Sequence, residues 1–146
     1  MIVICTICNV QHSVAQPITL QKLLDLNFGT IIAGTNALVN HTDPTAAKFR
    51  VRYSKNAALQ VTFSLPTNLS TASSNLMPVA FPAGAAAWAD KDQLTGRTTF
   101  NPQTGTSFTM PKDKDIYLWL GGSLSPPSSQ QAGTYSAVVT IIVTVL

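Results

Sequence analysis

The sequence predicts an all-β domain, an antiparallel β-sandwich of about seven to nine short strands, and three observations carry that expectation. The chain ends in an alternating run, Tyr135 to Leu146, with Ala137, Val139, Ile141, Val143 and Val145 on one parity and Ser136, Thr140 and Thr144 on the other. Such a period of two puts one face on a core and leaves the other polar. Composition agrees: there is no Glu, and 10% of residues are charged, against about 25% in an ordinary soluble domain. Ser, Thr, Asn and Gln supply the polar surface instead, which suits sheets and disfavours helices. Turn residues recur at roughly ten-residue spacing between the apolar runs.

Near the start of the domain, Ile18, Leu20 and Lys22 alternate with Thr19 and Gln21, and a second strand spans Leu24 to Ile32, where Gly29 predicts a bulge or a close backbone approach. A short strand at Ala37 to Asn40 precedes a turn at Asp43-Pro44. Lys48 to Tyr53 and Leu59 to Leu65 read as a hairpin about Ser54-Lys55-Asn56. Leu76 to Phe81 is a strand that Pro78 confines to an edge or a bulge. Gly84 to Ala89 suggests a helical turn without a convincing cap, and Phe100 and Phe108 flank a hairpin-type connection, Asn101 to Gly105. Ile116, Leu118 and Leu120 face one way and Tyr117 and Trp119 the other.

The N-terminal segment differs from the rest of the chain. Ile2 to Val10 is a short apolar run, and Ser13 and Ala15 have the small side chains a signal-peptidase site requires. Residues 1–15 therefore read as an export signal, with residues 16–146 a single domain and no membrane span in the mature chain. The alternative is a retained N-terminal strand, since Ile2, Ile4, Thr6, Cys8 and Val10 share one parity. Cys5 and Cys8 have CxxC spacing, but neither a second ligand pair for zinc nor a helix start for redox chemistry accompanies them.

The remaining motifs exclude more than they assign. His41 is the one histidine after residue 15, and no nucleophile elbow or phosphate loop is present, so no enzyme and no cofactor is expected. Asp90-Lys91-Asp92 begins like a calcium loop, but no acid closes it at the twelfth position, so a solvated turn is expected. The net charge of +3 is too small and too scattered for a nucleic-acid partner. Lys48, Arg50 and Arg52 alternate with Phe49, Val51 and Tyr53, a solvated strand face or a stripe for an acidic glycan or another anionic neighbour. Tyr117 and Trp119 share a face that either stacks on sugars or lies in the core.

Four segments carry a family resemblance. Asp25 to Ile31 (DLNFGTI), Ser64-Leu65-Pro66, Gly121-Gly122-Ser123-Leu124 and Ala132-Gly133-Thr134-Tyr135-Ser136 occur in an order and at separations similar to those of the exported bacterial proteins of domain-of-unknown-function family 4402. The chain departs from that pattern at Ala137, where glycine is common, and at its end, where an aromatic residue is expected. The resemblance implies an immunoglobulin-like, pilin-like sandwich exported across the inner membrane to the cell surface, with a periplasmic chaperone and an usher as partners. A pilin sandwich lacks one strand, and a neighbour's extended segment fills the groove by main-chain pairing. The expected function is thus a non-catalytic fimbria-like subunit that self-associates through Ala137, Val139, Ile141, Val143 and Val145. The alternative is a secreted carbohydrate-binding or adhesive module using Tyr117 and Trp119.

Overall fold

A computed structural model describes Ile2–Ile4, Val10–Gln11 and residues 18–146. The expectations about Cys5, Thr6, Cys8, Ser13 and Ala15 lie outside the described residues. Among the described residues there is no helix, and hence none long and apolar enough to cross a membrane.

The chain is all-β. Its strands are β1 (Ile2–Ile4), β2 (Val10–Gln11), β3 (Thr19–Leu24), β4 (Asn27–Thr30), β5 (Ala37–Val39), β6 (Ala47–Arg52), β7 (Ala57–Ser64) and β8 (Asn68–Ser70). Beyond them lie β9 (Leu76–Ala80), β10 (Ala86–Ala89), β11 (Thr98–Phe100), β12 (Thr106–Met110), β13 (Asp115–Leu120), β14 (Gly122–Leu124) and β15 (Thr140–Val145). From β3 onward all but β4 form three antiparallel sheets, ordered β11-β10-β13-β6-β3, β12-β7-β15 and β5-β14-β9-β8. Of the short N-terminal strands, β2 joins the second sheet parallel to β15, and β1 forms a separate two-stranded antiparallel sheet with β4.

One apolar core joins the sheets. The five-stranded sheet contributes Phe49, Val51, Ile116 and Leu118, and β7, β12 and β15 contribute Leu59, Val61, Phe108, Met110, Ile141 and Val143. Aromatic rings bridge the two layers: Phe63 lies 6.5 Å from Phe49 and 6.2 Å from Phe100, and Trp88 lies 5.0 Å from Phe108. The third sheet adds Val39, Leu69, Met77, Val79 and Leu124.

Several expectations are corrected. There are more and shorter strands than seven to nine, in three sheets. β6 and β7 do not form a hairpin; they belong to different sheets, and residues 53–56 arch across the core so that Phe49 faces Phe63. The same holds for β11 and β12. Both connections join strands with one apolar face each, and two such strands bury more by stacking face to face than by lying side by side. The Gly84–Ala89 segment is a strand over β10, because pairing with β11 and β13 on both sides overrides the helical propensity of alanine. The last strand is regular only from Thr140, since Ser136 exchanges two 2.9 Å backbone hydrogen bonds with Ser70 before the chain moves to β7.

Other expectations hold. The Phe28-Gly29 bulge is present: β1 pairs Val3 with Gly29 and Ile4 with Asn27, skipping Phe28, and Gly29 has φ +69° with no close approach by a neighbour. Pro78 lies where β9 is paired by β8 alone, because β14 reaches only Val79 and Ala80. Gly121, between β13 and β14, carries the chain from one sheet to the next, and a Cβ there would collide with the Val39 carbonyl oxygen.

Candidate functional site

β15 is an edge strand with a partial cover. On its inner side it pairs with β7 along its whole length, from Thr140↔Ser64 to Val145↔Leu59. On its outer side it pairs with β2 only at Ile141↔Val10 and Ile142↔Gln11. Val143 to Val145 therefore have no strand beside them on that side among the described residues. Of the five residues expected to line a core or groove, Val139, Ile141 and Val143 are buried and Ala137 packs partly against the core. Val145 is 47% exposed, because the sheet ends there and its parity runs past the core.

The expected donor segment divides between two places. Ile2 and Ile4 belong to β1 against β4, and Val10 belongs to β2 against β15.

A second group of residues meets on the outer face of the five-stranded sheet. Cross-strand register places Ala87, Trp119, Lys48 and Leu24 in one row, Ala89, Tyr117, Arg50 and Gln21 in the next, and Asp115, Arg52 and Thr19 in a third. Tyr117 and Trp119 are neighbours at 6.2 Å, as their shared parity predicts. Trp119 is 3% exposed, with the Arg97 guanidinium 3.6 Å from its ring centroid, so its face is covered; Tyr117 is half-buried. Arg97 also donates from Nε to the Gln93 carbonyl at 2.8 Å and from Nη1 to the His41 carbonyl. It thereby ties the loop after β10 across the sheet. Trp88 points into the core instead, against Phe108.

Ion pairs knit this face together. Lys48 Nζ lies 2.5 Å from Asp92, a residue the calcium-like spacing assigns to a solvated turn. Asp115 serves two guanidiniums, Arg52 at 3.2 Å and Arg50 at 4.0 Å, and Arg50 Nη2 donates to Gln21 at 2.6 Å. A cleft of about 300 Å³ opens beside Lys48, walled by Leu24, Pro44 and Leu94 and floored by Trp119 and Arg97. His41 borders the arrangement; burial, and then the Arg97 charge, hold its pKa below the ordinary 6.5, and its Nδ1 is buried without a hydrogen-bond partner.

Sequence reasoning locates the Lys48-Arg50-Arg52 stripe but not its companions. Arg97 stands alone after Thr95-Gly96, and no spacing rule links it to Trp119, 22 positions later. Sequence reasoning also misses the Tyr135 hydroxyl. It donates to the Gln131 carbonyl at 2.6 Å and receives the Gln130 amide at 2.6 Å in a fully buried position. The local signal is slight, a tyrosine four residues after a glutamine in a run otherwise typical of a loop.

No curated protein matches the chain. A family model does: the domain of unknown function DUF4402 matches residues 33–145, which reaches from the turn before β5 to the last residue of β15 and takes in the third sheet, both faces of the core and the β15 edge. The chain belongs to the DUF4402 family.

Proposed function

We propose that this chain is a non-catalytic, exported cell-surface subunit, an immunoglobulin-like sandwich of the pilin kind that assembles into fibres by strand complementation. The observation that carries the reading is the half-covered edge of β15. A parallel pair of two residues is the weaker form of strand pairing and leaves the rest of the edge open. An open edge beside buried Ile141 and Val143 invites a longer strand from a neighbour. The alternating Ile2 to Val10 segment of a second copy has the length and parity for that role. Exposed edges of this kind also suit a periplasmic chaperone and an usher that keep subunits apart before assembly.

Two further features support the immunoglobulin-like assignment. Consecutive strands alternate between facing sheets at β6-β7 and β11-β12, as sandwich strands do. The Tyr135 hydroxyl bonds backward to the main chain four residues upstream, the form of a tyrosine corner.

Purified protein on unboiled SDS gels is expected to give a ladder of multimers that collapses on heating, and Val10→Asp should abolish the ladder without unfolding the monomer. A strictly monomeric protein at all concentrations would remove this reading, and N-terminal sequencing that starts the exported chain at residue 16 would remove Ile2 to Val10 as the donor segment.

A further inference from the structure

The two outer faces of the molecule differ in kind. The outward residues of β7, β12 and β15 are Ala58, Gln60, Thr62, Ser64, Ser107, Thr109, Thr140, Ile142 and Thr144, none of them charged. All nine Lys and Arg residues lie on the five-stranded sheet or on segments joined to its strands. Here Lys48, Arg50, Arg52 and Arg97 share one side, and the carboxylates among them are Asp92, Asp115 and, at the cleft, Asp43. Four cations against three carboxylates leave an excess of one positive charge on that face.

We propose that the outer face of the five-stranded sheet, from the cleft over Trp119 to Arg52, binds an acidic polysaccharide bearing about one carboxylate per sugar. The site is independent of the β15 edge and of any fibre. Lys48, Arg50 and Arg52 stand at every second position of β6, so their charges form one line along the strand, about 7 Å apart. Asp115 is shared by Arg50 and Arg52, which leaves one guanidinium charge free to pair with a ligand carboxylate in the bidentate manner such groups favour. Tyr117, half-buried between Arg50 and Ala89 in its row, supplies an apolar ring for a sugar face, and Gln21 and Thr19 supply hydroxyl partners. The cleft of about 300 Å³, with Leu94 66% exposed at its wall, offers the chain end a recess.

Charge density selects the class of polymer. Duplex DNA carries one charge per about 1.7 Å and is met by many cations. A short line of cations with a small net excess matches instead a chain charged once per sugar.

The test is binding to polygalacturonate, to the same polymer fully methyl-esterified, and to duplex DNA, at about 50 and about 200 mM salt. The expectation is binding to polygalacturonate that weakens about tenfold over that salt range, as a few released counterions require, with no binding to the ester. Arg50→Ser/Arg52→Ser should lose at least about tenfold, while Lys91→Ser/Lys112→Ser, which removes the same charge from exposed loop positions, should lose under about threefold. Tyr117→Leu should weaken binding at either salt level, a loss that charge alone does not explain. Failure to bind at low salt, equal binding to the ester, equal losses in the two double variants, or tighter binding to DNA would each overturn the proposal. If the Arg double variant does not fold, Arg52→Ser alone, at a 54% exposed side chain, takes its place with the same expected direction.

Discussion

His41 is held between a cation and a carboxylate at the rim of the loop that covers Trp119. Its pKa lies below 6.5 because burial, and then Arg97, disfavour the imidazolium more than Asp43 and the backbone favour it. Folding therefore releases a proton that the unfolded chain keeps. The resulting stability is complete above the unfolded pKa of 6.5 and is lost as the pH falls from there through the lower folded value. Thermal unfolding at about pH 7.5 and about pH 5 should show a larger loss on acidification for the wild type than for His41→Gln. Equal losses in the two proteins would mean that His41 is not the group responsible. Arg97 could not be read from the sequence in this role, since its partners Gln93, His41 and Trp119 span 78 positions between His41 and Trp119 and only the fold brings them together.

At the scale of elements, the end of the chain is the instructive case. The alternation from Ala137 to Val145 is real, and three of its five residues are buried. Yet the run is not one strand: Ser136 is bridged to Ser70 beside β8, and only from Thr140 does the chain pair with β7. Periodicity reports which side of the chain is apolar and says nothing about which neighbour the backbone meets. Tyr135 fixes the crossing, because its buried hydroxyl ties the strand to Gln130 and Gln131. Tyr135→Phe deletes a buried hydroxyl and both of its hydrogen bonds, at an expected cost of about 1–3 kcal/mol in chemical denaturation. A change below about 0.5 kcal/mol would show that these bonds do not hold the crossing in place. The same limit explains the two supposed hairpins: a turn between amphipathic strands looks alike whether it closes a hairpin or arches over a core.

At the scale of the molecule, Phe63 joins the layers through Phe49 on β6 and Phe100 on β11. It is partly exposed, so Phe63→Ala should cost about 2–3 kcal/mol, under the 3–5 of a fully buried phenylalanine. Guanidinium titration followed by fluorescence of Trp88 and Trp119 reads that loss. A cost below about 1 kcal/mol would place the weight of the inter-sheet contact elsewhere in the core.

The sequence by itself determined the all-β class, the Gly29 bulge, the confined position of Pro78 and the shared face of Tyr117 and Trp119. Each rests on local chemistry, namely a period of two, the φ freedom of glycine or the missing N–H of proline. Tertiary structure alone decided the sheet partners, the arches in place of hairpins, the covering of Trp119 by Arg97 and the concentration of charge on one face. These depend on which distant strands share a sheet, and backbone hydrogen bonding between strands is indifferent to side-chain identity.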